Sequence, residues 1–160
     1  MKNIETERGF TLVELIITIS IIGILIVALG FQYAGWQRRY NVENQVKGVH
    51  ADLVNARIRS LQWYRVQRVV FSGNGYQLLS ATDDSATSFA PVWSTNATYL
   101  GYPVSWSSIV QFSVRGIASP QSTLWFTDRG AGSDYDCIVI DQTRIGLGKS
   151  NTGWSSCGVK

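Results

Sequence analysis

From Phe10 to Phe31 the chain runs for 22 residues with a single ionisable side chain, Glu14. No other stretch narrows the possible folds so far. At 1.5 Å rise per residue, a helix of this length reaches roughly 30 Å, about the hydrocarbon thickness of a bilayer. We therefore expect a membrane-spanning helix that carries one acid. A charge at that depth is costly unless it finds a partner, so Glu14 is a functional candidate by position alone.

The 160 residues leave room for this helix and one domain of about 100 residues. Behind the first third, composition shifts to Ser, Thr, Gly and aromatics, and all six tryptophans lie at or beyond Trp36. That shift marks a domain boundary. The net charge of +3 is modest, with no block of Lys or Arg to suggest a strongly anionic partner. The two cysteines, Cys137 and Cys157, have 19 residues between them. An even count downstream of a membrane segment favours a disulfide in an oxidising compartment, the alternative being two buried thiols. His50 is the lone histidine and no Cys-x-x-Cys occurs, so zinc ligation and histidine catalysis are poorly supplied. We expect no metal and no cofactor.

The residues that open the apolar run carry a resemblance. Arg8-Gly9-Phe10-Thr11-Leu12-Val13-Glu14, preceded by Lys2, Glu5 and Glu7, resembles the leader junction of type IV prepilins and type II secretion pseudopilins. The resemblance implies a leader over residues 1–9, cleaved between Gly9 and Phe10 by a prepilin peptidase, with the new Phe10 amine methylated. It also implies assembly with other pilins or pseudopilins through Glu14. The physical logic agrees: a free amine on Phe10 is a cation, and Glu14 is an anion one helical turn away. Staggered subunits can pair the two, each offsetting the other's desolvation. Where many major pilins of the family carry a proline, this chain has Phe31 preceded by Gly30, which points to a minor subunit. Lys2 and Arg8 favour a cytoplasmic N-terminus; the resemblance then implies a single-pass protein of the bacterial inner membrane with its head in the periplasm.

Beyond Trp36 the helix is expected to continue to about residue 62 and turn amphipathic. Val42, Val46, Val49, Leu53 and Ala56 follow steps of four and three, one face of a helix that needs a covering domain. From Arg65 the pattern becomes strand-like. Arg65–Phe71 and Tyr76–Leu79 flank the turn signal Gly73-Asn74-Gly75, a hairpin. Residues 81–107 read as a long irregular connection, pinned by Phe89, Trp93, Tyr99 and Trp106. Four further strands are expected at 109–114, 123–126, 137–140 and 144–147. The expected fold is α+β: leader 1–9, helix 10–62 (10–31 membrane-spanning, 32–62 amphipathic) and a small antiparallel β-rich head over 63–160.

Asp52–Arg57 on the helix, Phe112 with Gly116, and Ile138-Val139-Ile140 followed by Thr143-Arg144-Ile145 resemble the GspH/FimT group of minor pseudopilins and pilins. That likeness implies a structural subunit of a type IV pilus or of the pseudopilus in protein secretion. No nucleophile elbow, phosphate-binding loop or ligand set suggests an enzyme. Asp128, Asp134, Asp136 and Asp141 could offer oxygens to calcium, but their spacing fits no calcium loop, and solvated turn carboxylates are the simpler reading. The competing function is DNA capture at a filament tip. Arg115, Arg129, Arg144 and Lys149 would neutralise phosphates, with Trp125, Tyr135 and Trp154 available for stacking. Members of the FimT group are associated with DNA uptake.

Overall fold

The computed structural model describes residues 9–83, 85–92, 98–105, 108–126, 132–151 and 156–160, with residues 28–32 by backbone alone. One continuous α-helix, α1, runs from Leu12 to Trp63. It ends where Tyr64 turns into the left-handed region at φ 51°, the conformation in which helices commonly stop. Two compact units share this helix, Met1–Gln37 and Arg38–Lys160.

Among the described residues, the second unit builds ten short strands. They are β1 Gln67–Ser72, β2 Gly75–Ala81, β3 Phe89–Pro91, β4 Thr98–Tyr99, β5 Ser108–Phe112, β6 Ala118–Ser119, β7 Ser122–Trp125, β8 Cys137–Ile140, β9 Ile145–Ser150 and β10 Cys157–Val159. One antiparallel sheet has the order β3-β2-β1-β5-β6, with β4 also on β2; the other has the order β10-β9-β8-β7. The expected hairpin forms as β1–β2, with Val69 opposite Leu78 and Ser72 opposite Gly75. Its two-residue turn, Gly73-Asn74, uses positive φ at Gly73, which glycine adopts without steric cost.

The helical stripe is buried as its spacing predicts: Val42, Val46, Val49, Leu53 and Ala56 are all sealed from solvent. They share one cluster with Val69 and Phe71 of β1, Val110 and Phe112 of β5, Leu124 of β7, and Ile138 and Ile140 of β8. Both sheets thus turn alternate residues onto one helix face, the two-period pattern meeting the 3.6-period one. Fully burying Phe71 or Phe112 stabilises by about 1.5–3 kcal/mol each. Polar side chains beside the stripe fasten the loops. Gln45 accepts from the Tyr102 N–H at 2.9 Å and donates to the Tyr102 carbonyl at 2.6 Å. Tyr76 donates its hydroxyl to Asp52. Burial first, and that carboxylate second, push the Tyr76 phenol above its ordinary pKa.

Two expectations change. Residues 81–107 are not wholly irregular, because β3 and β4 pair with β2 inside that stretch. The buried pins there are Leu100 and Val104, whereas Tyr99 is exposed; Trp93 and Trp106 lie outside the described residues. Strands β6 and β10 add to the expected set. Among the described residues no helix is long and apolar enough to cross a membrane.

Cys137 and Cys157 are joined by a disulfide, with Cα atoms 6.3 Å apart. Cys137 on β8 lies opposite Gly148 on β9, and Cys157 on β10 lies opposite Ser150. The bridge therefore crosses over β9. Gly148 makes room for it: a Cβ there would fall inside contact distance of the Cys157 sulfur and 2.8 Å from the Gly158 carbonyl oxygen.

Candidate assembly segment

The N-terminal helix begins with a defined cap. Thr11 precedes α1, its hydroxyl accepts from the Glu14 N–H at 3.3 Å, and its carbonyl accepts from the Leu15 N–H at 3.2 Å. Thr11 is thus the N-cap and Glu14 the third helical residue, the threonine-to-glutamate spacing of a capping box. Glu14 also stands in the first turn, where a carboxylate complements the positive end of the helix dipole. Sequence reasoning treated Glu14 as a charge only; the Thr-x-x-Glu spacing ahead of an apolar run was the available signal for the cap.

After Glu14 the surface is apolar all round. Leu15, Ile16, Ile17, Ile19, Ile21, Ile22, Ile24, Leu25, Ile26 and Val27 are exposed, and at about 100° per residue they leave no polar face. The two hydroxyls in the stretch turn inward to the backbone, Thr18 donating to the Leu15 carbonyl at 2.8 Å and Ser20 to the Ile16 carbonyl at 2.7 Å. Glu14 is left as the single charged side chain on this surface. Phe10, just ahead of the cap, is 82% exposed. Chemically, the segment offers an apolar rod with one acid near its start, suited to an apolar surrounding that supplies a cation.

The basic residues of the head are divided. Arg144 lies between β8 and β9 and lines a groove of about 350 Å³ with His50, Val54, Arg57, Leu61 and Ile145. Arg57 donates to the Thr143 carbonyl, and His50 lies 3.3 Å from the Ile145 carbonyl. Arg115 precedes Gly116, whose added Cβ would lie 3.1 Å from Leu61 Cγ, so its turn leans on the same end of α1. Lys149 is elsewhere, on β9 and outside the residues that line this groove. It is 3.9 Å from Asp134, which Lys160 also meets at 3.5 Å. Tyr135 lies under Lys47 and Lys160 at 5.3 and 5.6 Å. Arg129, Asp128 and Trp154 lie outside the described residues. Arg57 was missed as a basic neighbour of Arg144, although the helical motif contained it.

The remaining aspartates are engaged locally. Asp136 accepts from the Ser150 N–H at 2.6 Å and from its hydroxyl, and Asp141 accepts from the Gln142 N–H at 2.7 Å. Among the described residues there is no group of three or more His, Cys, Asp or Glu placed to hold a metal ion.

Residues 6–30 match the prokaryotic N-terminal methylation motif. No curated protein and no solved structure matches the chain. The likeness to the GspH/FimT group rests on residues outside that match. The motif supports a type IV pilin-like protein, and implies what such a signal implies in general: prepilin peptidase processing, membrane-anchored assembly with other pilins, and a structural role.

Proposed function

We propose that this chain is a minor pilin or pseudopilin, a structural subunit of a type IV pilus or a type II secretion pseudopilus. One observation carries the reading: a capped helix with a single acid in its first turn and apolar side chains on every side after it. In this reading residues 1–9 are the leader, cut at Gly9–Phe10, and Phe10 is methylated. Residues 10–62 form the assembly helix and residues 63–160 the head. Before assembly the chain sits once through the bacterial inner membrane, with residues 10–31 in the bilayer and the head in the periplasm. An oxidising periplasm suits the Cys137–Cys157 bridge. In the filament, Glu14 meets the Phe10 amine of a neighbouring subunit.

Glu14 has two separable properties, and one substitution parts them. Glutamine can keep a capping box but has no charge. Glu14→Gln should abolish incorporation into filaments while the head melts as in the parent chain. Normal incorporation of Glu14→Gln would show that assembly does not use the charge.

A second reading, DNA captured at the filament tip, draws on Arg144 and the Arg115 turn flanking one end of α1. Lys149, held by Asp134, would add little. If these arginines contact phosphates, replacing Arg115 and Arg144 by Ala should lower duplex affinity and reduce the salt slope by about 0.9 per contact. An unchanged slope in a binding titration would remove this reading.

A further inference from the structure

Just past the apolar stretch, α1 carries two exposed aromatic rings. Tyr33 and Trp36 lie one helical turn apart, 61% and 60% exposed, with ring centroids 6.1 Å apart. Gln37, Arg38 and Arg39 follow directly in the sequence. Tyrosine and tryptophan combine an apolar body with one polar edge, and they concentrate where hydrocarbon meets lipid headgroups.

Length supports that location. At 1.5 Å per residue, Tyr33 and Trp36 lie about 32 and 36 Å along the axis from Leu12, the first residue of α1. A tilt of about 20°, usual for membrane helices, reduces these to about 30 and 34 Å along the bilayer normal. The hydrocarbon core is about 30 Å thick within a bilayer of about 40–45 Å. With Leu12 at one hydrocarbon boundary, Tyr33 reaches the opposite boundary and Trp36 enters the headgroup layer beyond it.

Resting on the membrane-anchored reading above, we propose that Tyr33 and Trp36 are an interfacial anchor in the lipid headgroup layer that sets the depth of α1 before assembly. The anchor acts on Glu14 at the far end. Glu14 is two residues inside Leu12, so this depth keeps its carboxylate about 3 Å within the hydrocarbon edge. A slip of one turn would take it about 5 Å deeper, away from water and from an approaching amine.

The test uses the full chain reconstituted in phosphatidylcholine–phosphatidylglycerol vesicles carrying a nitroxide quencher either near the headgroup or deep in the acyl chain. Flotation reports whether the chain is anchored at all. Subtracting the emission of Trp36→Phe from that of the parent isolates Trp36 from the other five tryptophans. The expected result is that this difference signal is quenched about twofold more by the shallow label than by the deep one. A chain that floats while Trp36 is quenched equally by both labels, more by the deep one, or by neither would overturn the anchor and leave membrane anchoring standing. A chain that does not float would overturn both.

Discussion

The N-terminal and head portions of α1 are built from the same aliphatic residue types in opposite circumstances. Between Leu12 and Val27 the apolar side chains are exposed on every side; between Val42 and Ala56 they form one stripe, fully covered by two sheets. The covered stripe has its partner within the chain, and its polar flanks fasten loops of the same domain. The uncovered rod has no polar face to offer water, so its burial must come from outside the chain. In the proposed reading, fold stability and assembly thus reside in separate lengths of one helix.

Substitutions on the two lengths should therefore part company. Leu53→Ala, in the fully buried stripe, should lower the stability of the head by about 2–5 kcal/mol in denaturant unfolding of the full chain in detergent. Ile19→Ala, on the exposed rod, should leave that transition within about 0.5 kcal/mol and act on filament incorporation instead. Equal losses of stability from both would break the comparison.

Within the head, the next effect comes from the strap across β9. Cys157→Ser should cost about 3 kcal/mol, the expectation for closing a loop of this size in the chain-entropy model. Gly148→Ala should cost about 1–3 kcal/mol, because its methyl enters space held by the bridge and by the Gly158 carbonyl. A Gly148→Ala chain as stable as the parent would show that β10 can shift to admit it.

The smallest effect is a pH dependence. The Tyr76 phenol is raised in the folded state, so its contribution is complete below the ordinary tyrosine pKa of about 10 and is lost as pH rises above it. Stability should fall above about pH 10, and Tyr76→Phe should flatten that fall while losing about 1 kcal/mol at neutral pH. An equal alkaline fall in the Phe variant would assign it to other groups.

What could be read from the residues alone depended on the range of the forces involved. The stripe from Val42 to Ala56 was legible because burial on one helix face imposes steps of three and four. The β1–β2 hairpin was legible because Gly73-Asn74 encodes its turn. Strands β3, β4, β6 and β10 were not: each has two or three residues, too few for a period, and each is defined by its pairing, β3 and β4 on β2, β6 on β5 and β10 on β9. Tyr99 shows the same limit, since its size suggested a buried pin while Leu100 beside it fills that place. At the assembly segment the charge of Glu14 was legible and its cap was overlooked. The groove that joins Arg57 to Arg144 needed the tertiary fold, which brings together residues 87 apart in sequence.

The most direct test of the assembly reading is the mass of the N-terminal peptide from protein recovered from cells with an active prepilin peptidase. The account predicts a chain that begins at Phe10 and carries one added methyl on its α-amine. Filaments containing the chain with residues 1–9 still attached would contradict it, because Glu14 would then have no Phe10 amine to meet.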